Sequence, residues 1–310
     1  MANQVFIVGH KNPDNDSIAA AVSYAYLKNA LEAKKAEPKA EYVACCLGPL
    51  PQESATILEQ VGLPAPKLIE KVGEGDKVIL VDHNESTQMV DGIADAEIVE
   101  VVDHHRIAGD VVTGNPILYL NIPVGSTATI VTKLYVQLVI EVTPAIATVL
   151  LSAIMTDTVI TKSPTCTDYD LVQAEKLGAI IGKKPTEFGL EVFKMRGGDN
   201  DLSVEELCTH DSKEFKKGDD VYMVAQHETV TLDVAMEREA EYREFLKAMV
   251  AENGYKFALL LVTDIFNEGS KFICEGDVAP VSEAFGIDAT KAEWVDGILS
   301  RKKQVIPPLS

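Results

Sequence analysis

The chain has 310 residues, and its 28 Lys and Arg against 48 Asp and Glu give a formal charge of −20. That excess of acid excludes the clustered basic surface that generic nucleic-acid binding requires, and 46% hydrophobic with 25% charged residues excludes a disordered or collagen-like chain. No apolar run approaches the ~20 residues that cross a bilayer, no basic region precedes the first apolar stretch as it would in a signal peptide, and the length suggests two domains.

In chain order, residues 5–8 form a short apolar run of the kind buried in parallel sheets. A polar loop, 10–16, comes next, and then a helical stretch rich in Ala and Leu over about 17–35. Residues 42–47, 77–81 and 98–102 read as further strands, and 127–140 and 144–155 as helices. Strands alternating with helices predict an α/β fold over residues 1–195, with a largely parallel sheet flanked by helices. The cluster Arg196-Gly197-Gly198-Asp199-Asn200-Asp201 has the composition of a linker. Beyond it, strands at 221–226, 256–263 and 272–274 and a charged amphipathic helix at 233–251 predict a smaller α+β domain over 202–310. The five cysteines are odd in number and include no CxxC, so they read as reduced thiols in a cytoplasmic protein.

Three of the strands end in the same kind of punctuation. Residues 5–8 run into Gly9-His10-Lys11-Asn12-Pro13-Asp14-Asn15-Asp16, 77–81 into Asp82-His83-Asn84-Glu85, and 98–102 into Asp103-His104-His105-Arg106. Ligands of open α/β sheets bind beyond the carboxyl ends of the strands, so three such clusters would converge on one crevice. Asp157 adds a carboxylate to an otherwise apolar helix, where burial without a partner is costly. Imidazole and carboxylate together suit Mn²⁺, Fe²⁺, Co²⁺ or Zn²⁺, whereas Mg²⁺ and Ca²⁺ usually take oxygen alone. Five or more such ligands exceed what one ion needs. They point to two ions sharing a carboxylate, roughly 3.5–4 Å apart, which activate a water for attack on phosphorus.

Each cluster also has a plainer reading. Asp14 and Asp16 stand where a helix-capping acid belongs, and Asp82 suits a turn. Ser300-Arg301-Lys302-Lys303 near the end of the chain reads as a solvated tail. Adjacent His104 and His105 are harder to explain structurally, because consecutive side chains point in different directions.

The three strand-end motifs together resemble the DHH phosphoesterase superfamily. Within it the whole chain is similar to the family II inorganic pyrophosphatases, the manganese- or cobalt-dependent soluble class. Ser163-Pro164-Thr165 and Ser300-Arg301-Lys302-Lys303 match as well, and Asn15 departs from the pattern, which more commonly has Thr. The resemblance implies that His10 and Asp14 bind a first metal, that Asp16, His104 and Asp157 bind a second, and that Asp82 bridges both. It implies two Mn²⁺, with Co²⁺ as the alternative, and an additional Mg²⁺ arriving with pyrophosphate. His105, Lys213, Arg301 and Lys302 would contact substrate, with Lys216 and Lys217 close enough in sequence to be confused with Lys213. Asp103 would orient a ligating histidine or serve equally as a buried structural residue, and a side chain at Asn15 should face away from the metals.

The activity implied by the resemblance is hydrolysis of pyrophosphate to two phosphates between a metal-binding domain and a substrate-binding, DHHA2-type domain. A metal-bridging hydroxide would attack in line, the basic residues would take the charge of the leaving phosphate, and Gly197-Gly198 would permit closure. Neither a nucleic-acid nor a membrane partner is expected, and a homodimer is the form common in the family. The rivals are a DHH phosphodiesterase, whose GGGH-type motif is missing here, an exopolyphosphatase, and a non-enzymatic regulator, for which no sensing module is evident.

Overall fold

The computed structural model describes residues 3–195, 202–209, 211–218 and 220–309, without the side chains of 302 and 303. The chain forms two compact units, Met1–Arg196 and Gly197–Ser310. The predicted linker, 196–201, lies outside the described residues.

The first unit runs β1 (Asn3–Lys11), α1 (Asn15–Ala33), β2 (Ala40–Leu47), α2 (Gln52–Gln60), β3 (Lys67–Leu68), β4 (Lys77–Val81), β5 (Glu97–Asp103), β6 (Leu118–Asn121), α3 (Thr127–Gln137), α4 (Pro144–Asp157), α5 (Asp168–Ile181) and α6 (Pro185–Met195). Its six strands are all parallel, in the order β3-β2-β1-β4-β5-β6. The central strands are apolar on both faces, and Val78, Ile79, Leu80 and Val81 are wholly buried. The order reverses between β1 and β4. Right-handed crossovers therefore put the early connections on one face and the later ones on the other. Accordingly α1 and α2 pack on one face, joined there by α3 to α6. The opposite face is closed by Met89, Val90 and other residues of the strand connections, which hold short 3-10 turns but no α-helix. The α/β class and parallel sheet are as predicted, but its helices gather on one side.

Helix boundaries are set by caps. α1 begins two residues earlier than predicted because Asp14 is its N-cap, accepting from Ser17 N at 2.9 Å. Ser126 caps α3 and Thr143 caps α4, with Pro144 in the first turn. The first turns of α1 and nearly all of α4 are buried all round, so these helices form the centre of the core rather than its surface.

The second unit runs α7 (Val204–Thr209), β7 (Ser212–Lys217), β8 (Asp220–Thr229), α8 (Leu232–Met236), α9 (Glu239–Asn253), β9 (Phe257–Asp264), β10 (Gly269–Gly276), α10 (Ala279–Phe285), β11 (Glu293–Asp296), a π-helical turn at Arg301–Val305 and α11 (Ile306–Leu309). The sheet order is β11-β10-β9-β8-β7, with β8 and β9 parallel and the other pairs antiparallel. β9 is buried along its whole length. Ala258, Leu260 and Val262 face α7 and α9, whereas Phe257, Leu259 and Leu261 face α10 and the C-terminal turns. The single helix predicted at 233–251 is two helices, α8 and α9, broken before Glu239.

Candidate metal centre

The reversal of strand order between β1 and β4 opens a crevice at their carboxyl ends. His10 is in the last turn of pleat in β1, Asp14 caps α1, and Asp16 is the second residue of that helix. Gly9 makes this corner tight: His10 N donates to Ser17 Oγ at 3.1 Å, and a Cβ at Gly9 would collide with that oxygen. Asp82 comes directly after β4 with φ of +64°, a left-handed conformation costly for any residue but glycine. His104 comes directly after β5, and Asp157 is the last residue of α4. The six predicted metal ligands come from four different segments and meet in one place.

Their spacing is that of shared ligation rather than of direct hydrogen bonding. His10 Nε2 lies 3.4 Å from Asp14 Oδ1 and 3.5 Å from Asp82 Oδ2. His104 Nε2 lies 3.4 Å from Asp82 Oδ1 and 3.5 Å from Asp157 Oδ2. Ligands about 2.1 Å from one ion, at angles between tetrahedral and octahedral, stand roughly 3.0–3.5 Å apart. The four separations above meet this test, and among the described residues three groups bring three such donors within 4.8 Å of one another: His10, Asp14 and Asp82; Asp16, His104 and Asp157; and Asp82, His104 and His105. Asp82 turns one carboxylate oxygen toward each histidine.

Imidazole tautomers agree with that reading. His10 Nδ1 donates to Lys11 O and His104 Nδ1 to Val124 O, each at 2.8 Å. Both rings thus turn Nε2 into the crevice, and His104 Nε2 is buried without a hydrogen-bond partner. A divalent ion fits these donors.

Electrostatics show what the ion would relieve. Burial, reinforced by Asp82 and Asp157, raises Asp16 well above the usual carboxylate range. Burial and the charges of Asp82 and Asp14 push Asp157 up to about 7. Burial would lower both imidazoles. The neighbouring Asp14 and Asp82 outweigh it at His10 and raise it to about 11; Asp82 and Asp16 raise His104 to about 10. Asp82 goes the other way, because His10 and His104 overcome the cost of its burial. The ion-free cluster is an acid pocket that holds protons in place of metal.

The N-terminus of α3 is a support that the sequence reading missed. Asp16 Oδ1 accepts from Ser126 Oγ at 2.7 Å and Ala128 N at 3.0 Å, and Oδ2 accepts from Thr127 N at 2.6 Å. Thr127 Oγ1 donates to Asp82 Oδ1 at 2.8 Å. One helix start therefore orients two of the carboxylates. Beneath it, fully buried Asp170 accepts from Gly125 N at 2.8 Å and from Thr129 Oγ1 at 2.6 Å. A small cap residue ahead of a helix was the only sequence signal for this. After Asp157 the chain passes through Val159, Ile160 and Thr161, all at positive φ, a left-handed turn that costs about 1–2 kcal/mol per residue.

Asp103 is wholly buried and bonded to His105. Its Oδ1 meets His105 Nδ1 at 2.9 Å and accepts from the backbone of His104 and His105. It therefore orients His105, while the ligand-positioned His104 is held by a carbonyl. Asn84 donates to Asp103 Oδ2 at 2.6 Å and accepts from Ala108 N at 2.8 Å, tying the loop after β5 to the loop after β4. His105 is half exposed and lines a cleft of about 440 Å³ with His10, Asp14, Asp82 and Arg106.

In the second unit Lys213 is exposed on β7, at the edge of the sheet. It pairs across the strand with Val224, which faces the C-terminal turns. Lys216 is on the opposite face, across from Val221. Lys217 donates to Leu309 O at 3.3 Å. Arg301 is buried, with its guanidinium on Asp211 Oδ1 at 2.8 Å, on the Asp211 carbonyl and on Val224 O at 3.4 Å. The side chain of Lys302 and the pair Gly197-Gly198 lie outside the described residues.

Comparison with known proteins fits this geometry. Residues 4–154 match the model of the DHH family, N-terminal domain, and residues 190–310 that of the DHHA2 domain. A probable manganese-dependent inorganic pyrophosphatase of Archaeoglobus fulgidus is 42% identical, over 100% of this chain and 98% of its own. The manganese-dependent inorganic pyrophosphatase of Bacillus subtilis is 38% identical, over 99% and 98%. A crystal structure of a candidate family II inorganic pyrophosphatase from Methanococcus jannaschii aligns with a TM-score of 0.60 at 34% identity, over 99% and 98% of the two chains. Two-part DHH and DHHA2 architecture defines the class. The chain belongs to the family of manganese-dependent inorganic pyrophosphatases.

Proposed function

We propose that this chain hydrolyses inorganic pyrophosphate to two phosphates at a pair of Mn²⁺ ions. His10 and Asp14 would hold one, Asp16, His104 and Asp157 the other, and Asp82 both; Co²⁺ would serve the same donors. The observation that carries the reading is Asp82, whose two oxygens each approach a different histidine. Two ions so bound supply Lewis acidity and activate a water for in-line attack on phosphorus.

The chain's own residues do the rest. His105, fixed through Nδ1 by Asp103, presents Nε2 to a phosphate oxygen and is held as a donor by that carboxylate, which raises it. Lys213 and Arg301 take the charge of the leaving phosphate, as does Lys302 in this proposal. Strand alternation supports Lys213 over Lys216, since only Lys213 shares a face with the turn that carries Arg301. Lys217 is engaged with the C-terminal backbone. An additional Mg²⁺ would come with the substrate, because it prefers oxygen ligands.

The proposal extends to a cytoplasmic homodimer. Five free cysteines support the compartment, and the open edge at β6, with Leu118 exposed, supports the assembly.

The test is phosphate release after Mn²⁺ pre-incubation with Mg²⁺ present, with tripolyphosphate and a dinucleotide run in parallel. Turnover confined to pyrophosphate is expected. Cleavage of either competitor without pyrophosphate turnover would overturn the substrate and leave the metal centre standing.

A further inference from the structure

Asn15 stands in sequence between two of the ligand-positioned acids, yet its side chain is 2% exposed and turned away from them. Nδ2 donates to Ser152 Oγ at 3.1 Å and to Thr156 Oγ1 at 3.3 Å, and Oδ1 accepts from Ser54 Oγ at 2.8 Å. The first two partners are on α4 and the third is on α2. Ser152 Oγ also donates to Val149 O at 2.7 Å, and Thr156 Oγ1 to Ala153 O at 3.0 Å. A hydroxyl has one hydrogen. Both are spent on α4's own carbonyls, so at Asn15 these oxygens can only accept. Only a group with two hydrogens on one atom and an acceptor on the other satisfies all three partners, and a side-chain amide is that group.

This amide joins the two helices that carry two members of the second ligand triad, Asp16 and Asp157. Asp16 is the next residue on α1, and Asp157 comes after Thr156 at the end of α4. The partners of Asp14 in the first triad, His10 and Asp82, come from β1 and the loop after β4, which Asn15 does not touch. We propose that Asn15 is a positioning residue that sets the separation of Asp16 and Asp157, and with it the affinity of the second metal site in preference to the first. The inference rests on the two-metal reading of the centre. Supporting partners of this kind typically carry about 10–100-fold in metal affinity.

The experiment is Mn²⁺ titration of the ion-free full-length chain, following free Mn²⁺ by its electron paramagnetic resonance signal, beside the melting temperature of the ion-free form. The unaltered chain should bind in two steps; a single step would overturn the two-metal reading itself. Asn15→Leu, similar in volume and uncharged, should weaken one step about 10–100-fold and leave the other within about threefold. Ser152→Ala combined with Thr156→Val should reproduce that selective loss, and Ser54→Ala, on the α2 side, should not. Equal weakening of both steps, or equal effects of the α4-side and α2-side variants, would mean a merely structural role and overturn the proposal. If Asn15→Leu fails to fold, the two sets of hydroxyl variants decide alone.

Discussion

The two units treat charge differently. In the first, acids and imidazoles gather at strand ends and helix starts, and His10, Asp14, Asp16, Asp82 and His104 are each fixed by a backbone or hydroxyl partner. In the second, Lys213 is exposed on an edge strand, whereas Arg301 is buried in a turn near the chain terminus and held by Asp211 and Val224. The proposed function gives this difference a reason. A resident ion would need ligands held at fixed spacing, because reorganising them would cost affinity. A phosphate that leaves every cycle would be better met by a cation that can let go, as exposed Lys213 can.

The sharpest way to break this contrast is at Asp82. Asp82→Ala should remove both Mn²⁺ steps in the same titration and lower pyrophosphate turnover by more than the ~10²-fold expected of a supporting residue. Survival of one tight step would refute the shared role. On the other unit, Arg301→Lys should lower kcat/KM by about 10–100-fold, since an ammonium cannot replace the planar fork that spans Asp211 and Val224. Lys213→Ala should raise KM with a smaller loss, and Lys216→Ala, on the opposite sheet face, should match the unaltered enzyme. Steady-state kinetics on the three variants separates the faces.

Proton competition sharpens the comparison inside the first unit. His10, raised to about 11, and His104, raised to about 10, both carry protons at neutral pH in the ion-free chain. Each site must therefore expel a proton on loading, and each affinity should fall about tenfold per unit as the pH is lowered. Asp157, at about 7, adds a further proton to its own site below that pH, and Asp16 in the same site is raised in the same direction. The second site should then weaken more steeply than the first as the pH falls below about 7. Isothermal titration in buffers of different ionisation enthalpy counts those protons. The smallest effect expected on metal binding is that of Thr127→Val, which leaves Asp82 in place and removes one hydroxyl donor. Its cost should be about tenfold in metal affinity.

Much of the centre was legible in the residues. The alternating pattern pointed to the parallel sheet, and the acid and histidine clusters after three strands supplied most of the six residues that meet in the crevice. Capping and ligation had looked like rival explanations of Asp14. The structure shows it capping α1 through one carboxylate while standing at ligand distance from His10. What could not be read was which histidine each neighbour holds: Asp103 was expected behind a ligating histidine or in a buried structural role, and the fold puts it on His105 while a carbonyl 20 residues downstream holds His104.

The sequence alone determined the set of acids and histidines that meet at the crevice, the α/β alternation of the first unit, and the basic run near the chain's end, because these depend on residue type and local periodicity. Only the tertiary structure decided which helix start cradles Asp16 and Asp82, which sheet face Lys213 shares, and what the amide of Asn15 joins. Those depend on contacts between segments about 40 to 140 residues apart, whose register is fixed by packing of the whole core and leaves no local signature in the chain.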